Sequence, residues 1–375
     1  MPMKKLQQKC GDSVEVRFDS NPLGANASGV TPEDFEFKNM EWADVVFTAN
    51  IHSFGGHYTF EILRKASELG KFTHFDTDDL LTDLYPGHRL WQIYRDQKLD
   101  ALTKACYGIA DMVSCTQSKF AERIHPFVQK ALVVIKNAID FELPSWNLPK
   151  LPPRNKKHTR IGWVGGIHHE EDVKEFKTTL RHVNSRVGAE NVTWFFHGRP
   201  PVPQGEEGDW QQDVWDNYER LLTFGETRAR GKNIFFGQAL GGEQYGAFYQ
   251  NMDISIAPLQ YNAFNDSKSE IKLMECGRYG VPLVASDVGC YNETIVNGET
   301  GYLLPPENDV KRWSGTLMKL CKDRKHREEI GQNLKTLVDE RFDINKHVGD
   351  RLTLYTEVMK YKEEAINDAR EQAQD

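Results

Sequence analysis

Lys268, Lys272 and Glu275 follow one another at intervals of four and three residues in NDSKSEIKLMECGRYGVPLVAS, residues 265–286. On a helix that spacing puts all three on one face. An amphipathic helix buries an apolar stripe, whereas this stripe is charged. Two lysines with a serine hydroxyl, Ser269, at a helix start suit an anion, because the first backbone N–H groups and the helix dipole point the same way. A carboxylate two turns further along cannot serve a phosphate. It suits a pair of hydroxyls such as a ribose diol. Together these groups describe a nucleotide diphosphate lying along the helix. The plain alternative is a surface helix with ordinary charge pairs.

The elements around this stretch favour the first reading. The run Ile254–Ala257 reads as a buried strand leading into loop 258–266, and Ser267-x-x-Glu270 reads as a capping box that starts a helix near Lys268. Gly280 and Pro282 end it. The stripe then opens at the carboxyl end of a strand, where open α/β sheets bind ligands. A charged stripe central to a domain needs a partner.

The chain of 375 residues is long enough for two domains. Short apolar runs alternate with helical patterns through both halves. Strands are expected at Val14–Phe18, Asp44–Phe47, Lys71–Phe75, Met112–Ser114 and Ala131–Ile135, with helices at Thr59–Gly70 and Leu90–Ala110. A second series runs from the strand Arg160–Val164 through the strands Val192–Phe196, Asn233–Phe236, Ile254–Ala257 and Val281–Ala285. The alternation predicts parallel sheets covered by helices. Four prolines and a basic cluster mark 141–159 as an exposed linker.

A net charge of −8 disfavours nucleic acid as the main partner. Six scattered cysteines without a C-x-x-C pair suit a reduced compartment. The start MPMKKLQQKCGDS has no apolar core of a signal peptide, and no run approaches the length of a membrane span, so a cytoplasmic protein is expected.

FNDSKSEIKLMECGRYGVPLVASDVGCYNETIVNGETGYL resembles the donor-binding segment of the large retaining GT-B family of nucleotide-sugar glycosyltransferases, the group 1 type. WVGGIHHEEDV (163–173), VIKNAIDFE (134–142) and FDTDD (75–79) resemble its Gly-rich loop, its hinge and an acidic turn at its cleft. The resemblance implies two Rossmann-like domains facing a central cleft, with the last helix crossing back to the first. It places an acceptor domain at 1–145, a linker at 146–158, a donor domain at 159–345, and the returning helix and tail at 346–375. The implied reaction moves a hexosyl or pentosyl group from a nucleotide-diphosphate sugar, a UDP- or GDP-sugar, to an acceptor hydroxyl with retention and without a metal.

The catalytic residues it implies are Lys268, Glu275, Asp78 and His169. Donor contacts would come from Gly165, Gly166, Arg199, Asn265, Lys268, Ser269, Lys272 and Glu275. Glu275 matches the second of the family's two donor glutamates; the first falls on Ser267, with Asn265 and Lys268 as the nearest replacements. The acceptor is a glycan or another hydroxyl compound; a nucleic-acid acceptor is not favoured, and peripheral membrane association stays open. Two other readings also stay open. One is a GT-A-like enzyme holding a metal on Asp76 and Asp78. The other is an inactive nucleotide-binding relative. His52 and His57, flanking Gly55-Gly56, are candidates to line the acceptor site.

Overall fold

The computed structural model describes residues 2–18, 38–49, 56–152, 157–166, 169–199, 210–223, 233–306 and 309–372. His52, Gly55 and His168 lie outside them, as does the side chain of His57. The chain clusters into two units. The first holds residues 1–86, 90–136 and 344–375, and the second holds 87–89 and 137–343.

The first unit is a four-stranded parallel sheet in sequence order: β1 (Val45–Ala49), β2 (Phe72–Thr77), β3 (Met112–Cys115) and β4 (Ala131–Val134). Parallel pairing requires a crossover between strands, and helices Gly56–Glu68 and Leu99–Ile109 supply the first two. The long helix expected over 90–110 is broken into Trp91–Asp96 and Leu99–Ile109, because Lys98 adopts a left-handed φ of 53°. No local signal marks that break.

Val14–Phe18, expected as a strand, is extended chain outside any ladder. Alternating residues make a strand only where a neighbour accepts the ladder. Here side chains tether the segment instead: the Arg17 guanidinium stacks 3.8 Å over the Trp42 ring. The final helix, Ile344–Gln372, belongs to this first unit. The Tyr355 hydroxyl lies 2.7 Å from His74 Nδ1, and Lys362 Nζ donates to Asp111 at 2.7 Å and to the Lys71 carbonyl at 2.8 Å.

The second unit has six parallel strands: β5 (Thr159–Val164), β6 (Val192–Arg199), β7 (Ile234–Gln238), β8 (Ile254–Ala257), β9 (Leu283–Ser286) and β10 (Tyr302–Leu304). Their order is β10-β9-β8-β5-β6-β7. The chain winds outward from β5 to β7, returns to the other side of β5, and winds outward again. Loops following β5 and β8 therefore part at a topological switch point, where a crevice opens at the strands' carboxyl ends.

Both faces of this sheet are covered, so β5, β8 and β9 read as continuous buried runs. Alternate residues serve opposite cores. Ile161 and Trp163 pack with Phe176, Trp194 and Trp313, whereas Val164 packs with Met252, Leu273 and Val338. Gly162 leaves room for the Met252 side chain, since a Cβ would stand 2.2 Å from its sulfur. Five of the six cysteines are buried, and Cys10 is half-buried.

The Pro-rich stretch expected as an exposed linker packs on the second unit as far as Leu151. Trp146 is buried, Leu151 N–H donates to the Gln250 carbonyl at 3.0 Å, and Gln250 Nε2 donates to the Pro149 carbonyl at 2.8 Å. Proline removes donors yet leaves carbonyls and ring surface to dock. Residues 153–156 lie outside the described set.

Candidate active site at the switch point of the second sheet

The expected capping box does not form. Ser267 is fully buried and its hydroxyl donates to the Ala263 carbonyl at 2.8 Å, closing the short helix Ala263–Asp266. The lysine helix begins later, at Ile271, and runs to Arg278. Lys268 and Ser269 thus sit on the connecting loop before the helix, and Lys272 and Glu275 sit on the helix. The spacing argument assumed one uninterrupted helix. The residues still converge, because tertiary contacts hold the loop.

Those contacts are specific. Gly289 N–H donates to Asp266 Oδ1 at 3.2 Å, and the Cys290 thiol approaches the Lys268 carbonyl at 3.0 Å. Asn137 Nδ2 donates to Ser269 Oγ at 2.9 Å. Lys268 Nζ lies 4.5 Å above the Phe264 ring, a cation–π position, and the other ring neighbour of Phe264 is His88 at 4.7 Å.

His169 comes from the loop after β5. It is buried, with Nδ1 2.8 Å from Asp172 Oδ2. The second oxygen of Asp172 accepts Gln260 N–H at 2.8 Å and Asn265 Nδ2 at 3.1 Å. One carboxylate thereby ties the loop after β5 to the loop after β8 across the switch point. Burial pushes the His169 imidazole down to about 4; the nearby charge of Lys268, and then that of Lys272, act in the same direction, and Asp172 opposes them. The two lysines and His169 therefore share one electrostatic field.

Glu275 is buried and its Oε2 accepts the Tyr249 hydroxyl at 2.6 Å. Burial raises its carboxyl to about 7, against the opposing pull of the Tyr249 hydrogen bond and the Lys272 charge. Tyr249 lies on the 3₁₀ segment Gly242–Asn251, distant in sequence, and nothing in the local pattern marks it as a partner of Glu275.

The glycines divide into two roles. Gly165 N–H donates to the His197 carbonyl at 2.9 Å, and a Cβ on Gly165 would stand 2.5 Å from the Trp163 ring. Gly198, at φ +132°, approaches so closely that its Cβ would lie 1.9 Å from the Gly165 carbonyl oxygen. These two are fixed by packing. Gly166 is exposed with open space about it, so its backbone is the part of the loop a ligand can approach.

Arg199 and Asn265 have other partners. Arg199 pairs with Glu219 at 3.2 Å and Asp216 at 3.6 Å. Asn265 is buried, and its amide donates to Asp172 and to the Gln260 carbonyl. Asp78 lies in the first unit, exposed, in the turn after β2. Asp76, still within β2, accepts the Ser114 hydroxyl, and Ser114 in turn lies 2.7 Å from His74 Nε2. Among the described residues no group of three or more His, Cys, Asp or Glu side chains is arranged to hold a metal.

A parallel six-stranded sheet with two lysines, a buried histidine–aspartate pair and a buried glutamate at its switch point matches one family model. Residues 150–337, half of the chain, fit the model described as Glycosyl transferases group 1. The chain belongs to the group 1 glycosyl transferases. Solved structures of the family's fold agree. Sucrose-phosphate synthase from Thermosynechococcus elongatus superposes with a TM-score of 0.61 at 18% identity, covering 85% of this chain and 75% of that one. Anabaena HepE in complex with UDP-glucose gives 0.57 at 16% identity, covering 84% and 80%. These likenesses establish the GT-B fold.

In sequence, the capsular polysaccharide biosynthesis glycosyltransferase CapM of Staphylococcus aureus is 31% identical over 96 residues, 26% of this chain. The match spans about a quarter of the length of that relative, 24%. Among the described residues no helix is long and apolar enough to cross a membrane.

Proposed function

We propose that this group 1 glycosyl transferase moves a sugar from a nucleotide-diphosphate sugar to an acceptor hydroxyl with retention, using the second unit as its donor site. The observation that carries this reading is the buried Glu275, held by Tyr249 beside the lysines at the switch point. A carboxylate is kept from water there against a large desolvation penalty, which marks it for a ligand. It accepts the ribose hydroxyls. Lys268, Lys272 and the first turn of the helix face the diphosphate. Gly166 admits it to the loop after β5.

In the reaction the bond between the anomeric carbon and the diphosphate oxygen breaks, and the acceptor oxygen bonds to that carbon. The lysines stabilise the charge that develops on the leaving diphosphate. The acceptor proton passes to the leaving phosphate, so a protein base is not needed. His169 is neutral and its Nδ1–H donates to Asp172, which leaves Nε2 to accept a hydrogen bond from a hydroxyl of the donor sugar. That HepE was solved with UDP-glucose supports a UDP-sugar as the first donor to try. We infer that no metal is required, because the lysines and helix end already supply positive charge.

Thermal shifts with UDP, GDP, ADP, CDP and TDP, each in EDTA and in manganese, test this. Stabilisation by one nucleotide in EDTA, lost in Lys268→Ala, is the expected result. A ligand at about a hundred times its Kd adds about 2.7 kcal/mol. A shift seen only with manganese would move the chemistry to Asp76 and Asp78. Binding without turnover of any sugar nucleotide would leave an inactive relative.

A further inference from the structure

The opposite edge of the second sheet carries a second concentration of positive charge. A cavity of about 270 Å³ opens at the amino ends of β5, β8 and β9, beside Arg160, Asp253 and Pro282. It is separated from the switch-point crevice by the length of β5, roughly 20 Å at the rise of a strand.

Four cations line it against two carboxylates. Both carboxylates are already engaged. Asp253 takes Arg160 in a two-pronged pair, Nε to Oδ2 at 3.0 Å and Nη2 to Oδ1 at 3.1 Å, and Glu328 pairs with Arg324 at 2.6 Å. Lys150 and Arg327 remain. Among the described residues neither has a carboxylate in salt-bridge range. Arg327 is 6% exposed, and its Nη1 donates only to neutral oxygens, Leu320 O at 2.7 Å and Thr159 Oγ1 at 3.3 Å. Burial lowers its pKa, with Asp253 the largest opposing influence.

The helix that carries Arg327 makes this arrangement more unfavourable. Arg324–Arg341 opens with Arg324, Lys325, His326 and Arg327 and has no acid in its first turn. Cations at a helix N-terminus oppose the dipole. The N-cap carboxylate of Asp323 already accepts the His326 N–H at 3.0 Å, so an incoming anion would relieve chiefly the buried guanidinium and the rim lysine.

We propose that this cavity binds a compact phosphate-bearing anion, separately from the nucleotide. Its volume sits below the roughly 300–1,000 Å³ of drug-sized pockets. That suits phosphate or a small sugar phosphate better than a nucleotide diphosphate. Lys150 and Arg327 make charge-assisted bonds to the phosphate oxygens, and Thr159 and Leu320 hold the guanidinium in place.

The test is calorimetric titration of the full chain with inorganic phosphate and, separately, a hexose phosphate, each against sodium chloride of equal ionic strength. Saturable binding is expected, weakened about tenfold in Lys150→Ala and in Arg327→Gln and retained in Lys268→Ala. Tighter binding of the hexose phosphate identifies the ester as the ligand; equal binding identifies the phosphate group alone. Lys150 is on the rim, so its variant reads the site even where Arg327→Gln does not fold. The proposal is overturned by an absence of saturable binding. It is equally overturned by binding that sodium chloride reproduces, or that Lys268→Ala abolishes while Lys150→Ala does not.

Discussion

Tyr249 donates its phenolic hydrogen to Glu275 at 2.6 Å, in the interior of the second unit. The pair sets a pH dependence. Glu275 ionises near 4.5 when unfolded and at about 7 when folded. A carboxyl whose folded pKa is raised leaves the protein most stable below the unfolded value. Stability is then lost as pH rises from 4.5 to 7, and the loss is complete above 7. The difference is worth on the order of 3 kcal/mol. Glu275→Gln removes the penalty, so the ligand-free protein should gain stability in urea at pH 8 and little at pH 4. The same variant should bind nucleoside diphosphate more weakly. A variant less stable at pH 8 would show that the carboxylate is structural.

Asp172 should matter more than an acid in the first turn of a helix usually does. Its loss leaves the Gln260 and Asn265 donors without their acceptor and frees His169. Asp172→Ala is expected to cost about 2–4 kcal/mol in denaturant unfolding. It should also lower the His169 pKa further, since Asp172 is what holds it up. Proton NMR of the imidazole would read that directly.

Three histidines are held neutral by burial: His74 at about 3, His169 at about 4 and His197 at about 4. Each folded value is depressed, so the unfolded chain takes up protons first as pH falls below 6.5. The histidine contribution to stability should decline from pH 6.5 towards 4 by about 4 kcal/mol per pH unit for three rings, offset by about a third through the opposite titration of Glu275. Proton uptake on unfolding at pH 5, measured in two buffers of different ionisation enthalpy, checks this. An uptake near zero would contradict the burial of these rings.

Gly198→Ala puts a methyl group into the Gly165 carbonyl at a left-handed φ. The expected cost is on the order of 3 kcal/mol. Because Gly165 begins the loop that leads to Gly166 and His169, nucleotide affinity should drop with it. Gly166→Ala should leave stability nearly unchanged and weaken the nucleotide alone. Reversed outcomes would mean that the loop does not face the ligand.

The β/α alternation and the converging charges were legible in the sequence because each is a local pattern. The strand Ile254–Ala257 lies where its apolar run put it. What failed were inferences about continuity. Ser267-x-x-Glu270 has the letters of a capping box, yet Ser267 closes the preceding turn. VEVRF alternates like a strand, but a ladder is a property of two segments. The Pro-rich stretch was misread because docking depends on Gln250 and Trp146, which composition does not register. Tyr249 and Asn137 were missed for the same reason: each meets its partner only through the fold.

The distribution of thiols has a practical consequence. Cys10 alone is partly accessible, and the other five are enclosed in the folded chain. An alkylating reagent should modify Cys10 at once and reach the rest only when their surroundings open. Because Cys276 lies on the lysine helix, Cys290 meets the loop before it, and Cys321 lies near the amino-edge cavity, mass spectrometry of timed labelling would show which region opens first. The chain thus carries, without mutation, a set of internal clocks for its own unfolding.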